Sequence, residues 1–131
     1  MRYAARVNGA TSMALTKLDV LDEIPNIKIC LEYDFQGEFH DHPMANISHL
    51  KHCEPRYETM PGWEGDIGHC RSWDQLPSAC RAYVTRLEEI CGVSIALIGV
   101  GPRREQFVSR GREFFPAGAR RASPSASPTK P

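Results

Sequence analysis

The chain predicts a mixed α/β fold, and three stretches carry that expectation. From Leu76 to Cys91 apolar residues recur at helical spacing, with Leu76, Cys80, Tyr83, Leu87 and Cys91 three or four positions apart. Ser94 to Val100 (S-I-A-L-I-G-V) is a continuous apolar run of strand length that breaks at Gly101-Pro102. Ile27 to Phe35 (I-K-I-C-L-E-Y-D-F) alternates apolar and polar side chains, the period of a half-buried strand. At 131 residues the chain has the length of one domain and can bury a core.

Taken in order, Arg2 to Asn8 reads as the last two turns of a helix, stopped by Asn8-Gly9, both tolerant of the left-handed C-cap conformation. A helix opening so abruptly suggests an element that began earlier. Ala14 to Leu21 (A-L-T-K-L-D-V-L) is expected as a strand, followed by a turn over Asp22 to Asn26 containing Pro25. After the strand Ile27–Phe35, Gln36-Gly37 predicts a hairpin into Glu38 to His42. Asn46 to His52 is a short helical turn capped by Asn46 or Ser48, and Glu54 to Met60 is extended up to Pro61-Gly62-Trp63. Gly65 to Ser72 reads as loop. Pro77 at the start and Gly92 just past the end frame the main helix. Strand, helix and strand in succession predict a parallel crossover.

Beyond Ser109 the composition shifts. Residues 110–131 are rich in Arg, Ala, Ser and Pro and have no apolar face, so they are expected as a disordered tail behind a folded part spanning 1–109. Arg120-Arg121-Ala122-Ser123 within it has the pattern of a basophilic kinase site.

The 16 basic and 16 acidic side chains cancel, so no overall field favours nucleic acid or an anionic membrane as partner. No apolar stretch is long enough to cross a bilayer, and the polar N-terminus does not resemble a signal peptide. Five widely spaced cysteines suit reduced thiols, and a cytoplasmic location is expected.

Two stretches have base-binding chemistry. In Thr16-Lys17-Leu18-Asp19 a lysine and a carboxylate stand two residues apart, on one side of an extended chain. A carboxylate can accept both adjacent donors of guanine, the ring N1–H and the exocyclic amine. The lysine stem can cover the face of the base. The same residues also suit a surface Lys–Asp pair on an edge strand. The second stretch is Gly99-Val100-Gly101, after the apolar strand. Loops at the carboxyl ends of parallel strands are where α/β proteins bind ligands, and residues without a Cβ let backbone approach a flat base. An ordinary tight turn would have the same composition.

His40, His42, His49, His52, Cys53, His69 and Cys70 invite a zinc reading. No Cys-Xaa-Xaa-Cys knuckle pairs them at a familiar spacing, so no metal ligand is assigned. No nucleophile–base set is legible, and no glycine-rich loop leads to a lysine at a helix N-terminus to hold phosphates. No catalytic residue is assigned either.

The blocks R-Y-A-A-R-V-N-G, A-L-T-K-L-D-V-L-D, I-K-I-C, C-E-P-R-Y-E-T-M-P-G-W, A-Y-V-T-R-L-E-E-I-C-G-V and G-V-G-P-R-R-E-Q closely resemble the C-terminal part of the adenylosuccinate synthetase family, in register from about Arg2 to about Val108. The resemblance implies a C-terminal part of a large, mostly parallel, P-loop-like sheet with flanking helices and a hairpin. It also implies an enzyme that joins IMP and L-aspartate using GTP in AMP biosynthesis, a homodimer and a Mg²⁺ requirement. The family's guanine contacts match Lys17, Leu18 and Asp19, and its second wall matches Gly99, Val100 and Gly101. Gly99 replaces a frequent serine, which removes a hydroxyl contact, and Arg103 replaces the usual aspartate after Gly-Pro. The tail beyond Val108 departs from the family's short apolar ending. The family's phosphate loop, catalytic aspartate and histidine, IMP contacts, Mg²⁺ ligands and arginine-bearing loop have no counterpart here. The chain alone is therefore expected to be catalytically inactive. The competing expectation is a non-catalytic guanine-nucleotide-binding or protein-interaction module derived from the same family.

Overall fold

The computed structural model describes residues 1–111, so nearly all of the tail expected from 110 onward, with its Arg120–Ser123 motif, lies outside the described residues. Within them the elements are α1 (Arg2–Val7), β1 (Ser12–Leu15), β2 (Asn26–Phe35), β3 (Glu38–His40), α2 (Ile47–Leu50), β4 (Glu54–Pro61), α3 (Ser78–Cys91), β5 (Ser94–Gly99) and β6 (Phe107–Ser109). Two 3₁₀ turns, Leu18–Leu21 and Trp73–Gln75, punctuate the loops. One sheet has the order β1-β5-β6 and the other β3-β2-β4.

Several expectations hold locally. Asn46 caps α2, its side chain accepting from Ser48 N at 2.8 Å. Gln36 and Gly37 both take positive φ, and Gly37 N donates to Asp34 Oδ1 at 2.9 Å, closing the β2–β3 hairpin. Gly92 caps α3 in the left-handed conformation with φ 69, while Pro77 precedes its first residue. The strand β6 was not expected.

Two expectations are corrected. The strand predicted over Ala14–Leu21 stops at Leu15. As a strand that stretch has no clean apolar face, because Leu15, Lys17, Asp19 and Leu21 would share one side. In a 3₁₀ turn residues i and i+3 eclipse, so Leu18 and Leu21 both turn toward the core and Val20 faces solvent. Lys17 starts the turn at φ 60 and ψ 39, so Lys17 and Asp19 are not alternate residues of an extended chain.

The crossover from β4 through α3 to β5 is not a parallel pair. β4 runs antiparallel to β2, from Asn26 opposite Pro61 to Asp34 opposite Glu54. α3 carries the chain to the other sheet, where β5 runs parallel to β1, with Leu15 opposite Ile98, and antiparallel to β6. The large, mostly parallel sheet of the whole family is not shown by this chain, whose described residues form two three-stranded sheets with one parallel pairing.

A single apolar cluster joins the sheets. Cys80, Val84 and Leu87 of α3 meet Ile27 and Ile29 of β2, Ile95 and Ile98 of β5, and Val108 of β6, together with Trp63 and Ile67 from the loop after β4. At its rim, Arg86 of α3 makes a forked pair with Glu58 of β4, Nε to Oε1 at 3.0 Å and Nη2 to Oε2 at 2.8 Å. Glu88 accepts from Ile95 N at 2.6 Å and pairs with Arg110 at 2.7 Å.

Candidate functional site

The parallel pairing of β1 with β5 brings the two sequence-predicted stretches together. Both strands end on the same side, one running into Thr16–Asp19 and the other into Gly99–Gly101. The approach is close: a Cβ on Gly99 would stand 3.4 Å from Thr16 Cα and 3.6 Å from Lys17 N. A side chain at 99 would pack in ordinary van der Waals contact with that backbone, so the two strand ends lie side by side and the glycine leaves the backbone at 99 uncovered.

The six predicted residues divide by what they can offer. Lys17 is exposed, in a left-handed conformation that costs a non-glycine residue about 1 kcal/mol or more, and it joins no ion pair among the described residues. Asp19 is half-buried, and its Oδ1 is shielded from solvent with no hydrogen-bond partner among the described residues. Leu18 and Val100 are 1% and 0% exposed, so their side chains belong to the core and only their backbone could face a ligand. The Val100 amide is already used, donating to Gln106 O at 2.9 Å. Gly101 lies against the Gln106 side chain, where a Cβ would come within 2.5 Å of Cδ.

A buried carboxylate oxygen without a donor is costly, by about 1–3 kcal/mol or more for a charged group. Asp19 is thus a ready acceptor beside an exposed lysine and a bare strip of backbone.

Two further residues organise this edge and were not singled out from the sequence. Asp22 follows the 3₁₀ turn. Its Oδ1 accepts from Trp63 Nε1 at 2.7 Å and its Oδ2 from Ile67 N at 3.2 Å. Gln106 Nε2 donates to Gly68 O at 3.1 Å, and its Oε1 accepts from Arg103 N at 2.9 Å. A buried tryptophan indole needs an acceptor, and that was the one available signal for Asp22. Nothing local marks Gln106.

The histidines and cysteines lie apart. Among the described residues no three His, Cys, Asp or Glu side chains come together as metal ligands. His42 pairs with Asp41 at 2.8 Å and stacks on Tyr3, while His49 stacks on Phe35 with centroids 4.9 Å apart. Two cavities, of about 160 and about 520 Å³, open beside α1 around Arg2 and Cys91, and none of the six predicted residues lines either.

The fold and this edge define an α/β chain that presents a carboxylate, a lysine and bare backbone at the carboxyl ends of neighbouring parallel strands. The family profile described as adenylosuccinate synthetase matches residues 1–108. Adenylosuccinate synthetase from Heliobacterium modesticaldum is 51% identical over 114 residues, covering 87% of this chain and 27% of the relative. That from Bifidobacterium longum subsp. infantis is 50% identical over 107 residues, covering 82% and 25%. A solved structure of fully ligated adenylosuccinate synthetase from Plasmodium falciparum superposes with a TM-score of 0.79 at 30% identity, covering 83% of this chain and 27% of that one. The chain belongs to the adenylosuccinate synthetase family, and it spans about a quarter of the length of the curated relatives it matches.

Proposed function

We propose that this chain is the C-terminal, guanine-reading portion of an adenylosuccinate synthetase, the GTP-dependent ligase that joins IMP and L-aspartate. The observation that carries the reading is Asp19 Oδ1, buried and without a partner among the described residues. It stands in the 3₁₀ turn that follows β1, two residues past Lys17, whose backbone nitrogen lies beside Gly99. The carboxylate accepts guanine's N1–H and exocyclic amine together, while the Lys17 stem covers the base and the backbone at Gly99 forms the facing wall. Leu18 and Val100 contribute main chain only. Adenine lacks the two donors, so it leaves the buried oxygen unpaired and is rejected.

The handling of the triphosphate, IMP and aspartate belongs, in this reading, to the part of the relatives' length that residues 1–108 do not cover. The described residues gather no group of three His, Cys, Asp or Glu side chains, and no step through Mg²⁺ is assigned to them. Cytoplasmic location and a homodimer of the whole enzyme complete the proposal.

Calorimetric titration of the chain with GTP and with ATP tests the base reading. GTP should bind more tightly, and Asp19→Ala should weaken GTP by about ten- to a hundredfold with little effect on ATP, as expected for loss of a charge-assisted pair. Equal affinity for the two nucleotides, or an unaffected variant, would overturn the role of Asp19. Formation of adenylosuccinate by the 131-residue chain without another polypeptide would overturn its assignment as a portion that lacks the chemistry.

A further inference from the structure

The two halves of the base-reading edge are separated by about eighty residues in sequence and lie past the last positions at which β1 and β5 pair with each other. The parallel register of β1 and β5 ends at Leu15 opposite Ile98. Lys17 to Asp19 and Val100 to Gly101 therefore need another means of holding their separation.

That means is a third segment, from Trp63 to Arg71, to which each half is tied by one side chain. On one side, Asp22 N donates to Asp19 O at 3.1 Å, while the Asp22 carboxylate accepts from Trp63 Nε1 and Ile67 N. On the other side, Gln106 fills the space that side chains at Gly68 and Gly101 would occupy. A Cβ at Gly68 would stand 2.9 Å from its Nε2, and one at Gly101 2.6 Å from the same atom. Its amide bridges Gly68 O and Arg103 N, and its own backbone oxygen receives Val100 N. The segment between the tethers is itself stiff. Gly68 N donates to Asp66 Oδ1 at 2.6 Å, Arg71 donates to Gly68 O at 2.8 Å, and the Ile67 and Cys70 side chains sit in the core.

We propose that Gln106 and Asp22 are positioning residues that set guanine selectivity by fixing Asp19 against the Gly99–Gly101 backbone through the Trp63–Arg71 segment. This rests on the base-reading role given above, and neither residue touches the base. A carboxylate and a backbone wall select one base only if their separation is held, and a loop on each side without a shared support would accommodate either purine.

The test uses the full chain and two near-isosteric variants, each of which cuts one arm of a tether. Gln106→Glu keeps an acceptor for Arg103 N but turns an oxygen toward Gly68 O. Asp22→Asn keeps an acceptor for Trp63 but presents an amide to Ile67 N. Amide hydrogen exchange by NMR is measured first, without nucleotide. In Gln106→Glu the amides of Cys70 and of Asp22 should both exchange about five- to tenfold faster, the loss expected from one buried hydrogen bond, while the α3 amides hold their protection. In Asp22→Asn the acceleration should reach Val100 as well. Changes confined to residues 100–106 in the first variant and to 18–24 in the second would overturn the coupling. In the second measurement the ratio of GTP to ATP affinity should fall severalfold in both variants, although Lys17, Asp19 and Gly99 are intact. A native chain that does not prefer GTP removes the base-reading role, and the exchange result then decides the tether by itself. Accelerated exchange at both tethers with an unchanged nucleotide ratio would overturn the selectivity role.

Discussion

Asp19 and Gly62 put opposite demands on their surroundings. The carboxylate of Asp19 has a buried oxygen that lacks a donor among the described residues, so it gains from a ligand that brings one. Gly62 has no room for any addition. A Cβ there would stand 1.7 Å from the carbonyl oxygen of Ile24 and 2.9 Å from its carbon, and Gly62 N is already bonded to Pro25 O at 3.0 Å. Those neighbours are main chain and cannot rotate away, so Gly62→Ala should destabilise the fold by about 1–3 kcal/mol or more, read as a lowered midpoint in urea. The glycine of Pro61-Gly62-Trp63 was visible as punctuation in the sequence. Its steric reason, the Ile24 carbonyl of a turn thirty-eight positions earlier, was not.

Among the elements, α1 is joined to the β2–β3 hairpin by side chains rather than by a broad apolar face. Arg2 donates to the carbonyls of Leu31 and Asp41, and Arg6 pairs with the Asp41 carboxylate at 3.1 Å. The hydrogen bond from His42, and then that from Arg6, holds the Asp41 carboxyl down at about 2. A lowered folded-state value means the contribution is complete above the ordinary carboxyl range near 4 and is lost as the pH falls toward about 2. Carboxyl NMR should show Asp41 titrating near that low value, and His42→Ala should move its midpoint upward toward the ordinary range. An unmoved midpoint would remove His42 as the principal partner. Between α3 and β4, Arg86 likewise holds the Glu58 carboxyl below its usual range, and Arg86→Met should let it rise. The same spectra report that change. None of these cross-element pairs follows from spacing, because each joins residues on separate elements.

Across the whole molecule, both sheets share one core through α3, and Cys80 stands in it with no exposed surface. Burial, followed by the nearby Cys70 and Asp22, pushes its thiol up to about 12. For an acid whose folded value is raised, the stabilisation is complete below the unfolded thiol's value near 8.5 and is lost as the pH rises toward 12. Urea unfolding from pH 8 to 11 should therefore show stability falling with pH, and Cys80→Ala should flatten that fall while lowering stability at pH 8 through lost packing. A slope the same in both proteins would show that Cys80 is not its source. Thiol reagents should modify the half-buried Cys53 well before Cys80, because the thiolate is the reactive form and access is required.

Local periodicity determined the α/β class, the long helix α3, the alternating strand β2, the hairpin at Gln36-Gly37 and the cap at Asn46, because each depends on neighbours within a few residues. The sequence by itself also paired Lys17 and Asp19 with the Gly99 loop as candidate groups, and a family resemblance accounts for both. Only the tertiary structure decided that β1 ends at Leu15, that Leu18 and Val100 turn inward, and that β5 pairs with β1 rather than β4. It alone identified Asp22 and Gln106 as the residues that tie the edge together. The physical reason is range. A period of two or 3.6 shows which side of an element is apolar, but sheet membership and hydrogen bonds across many residues of sequence exist only once the core has brought those residues together.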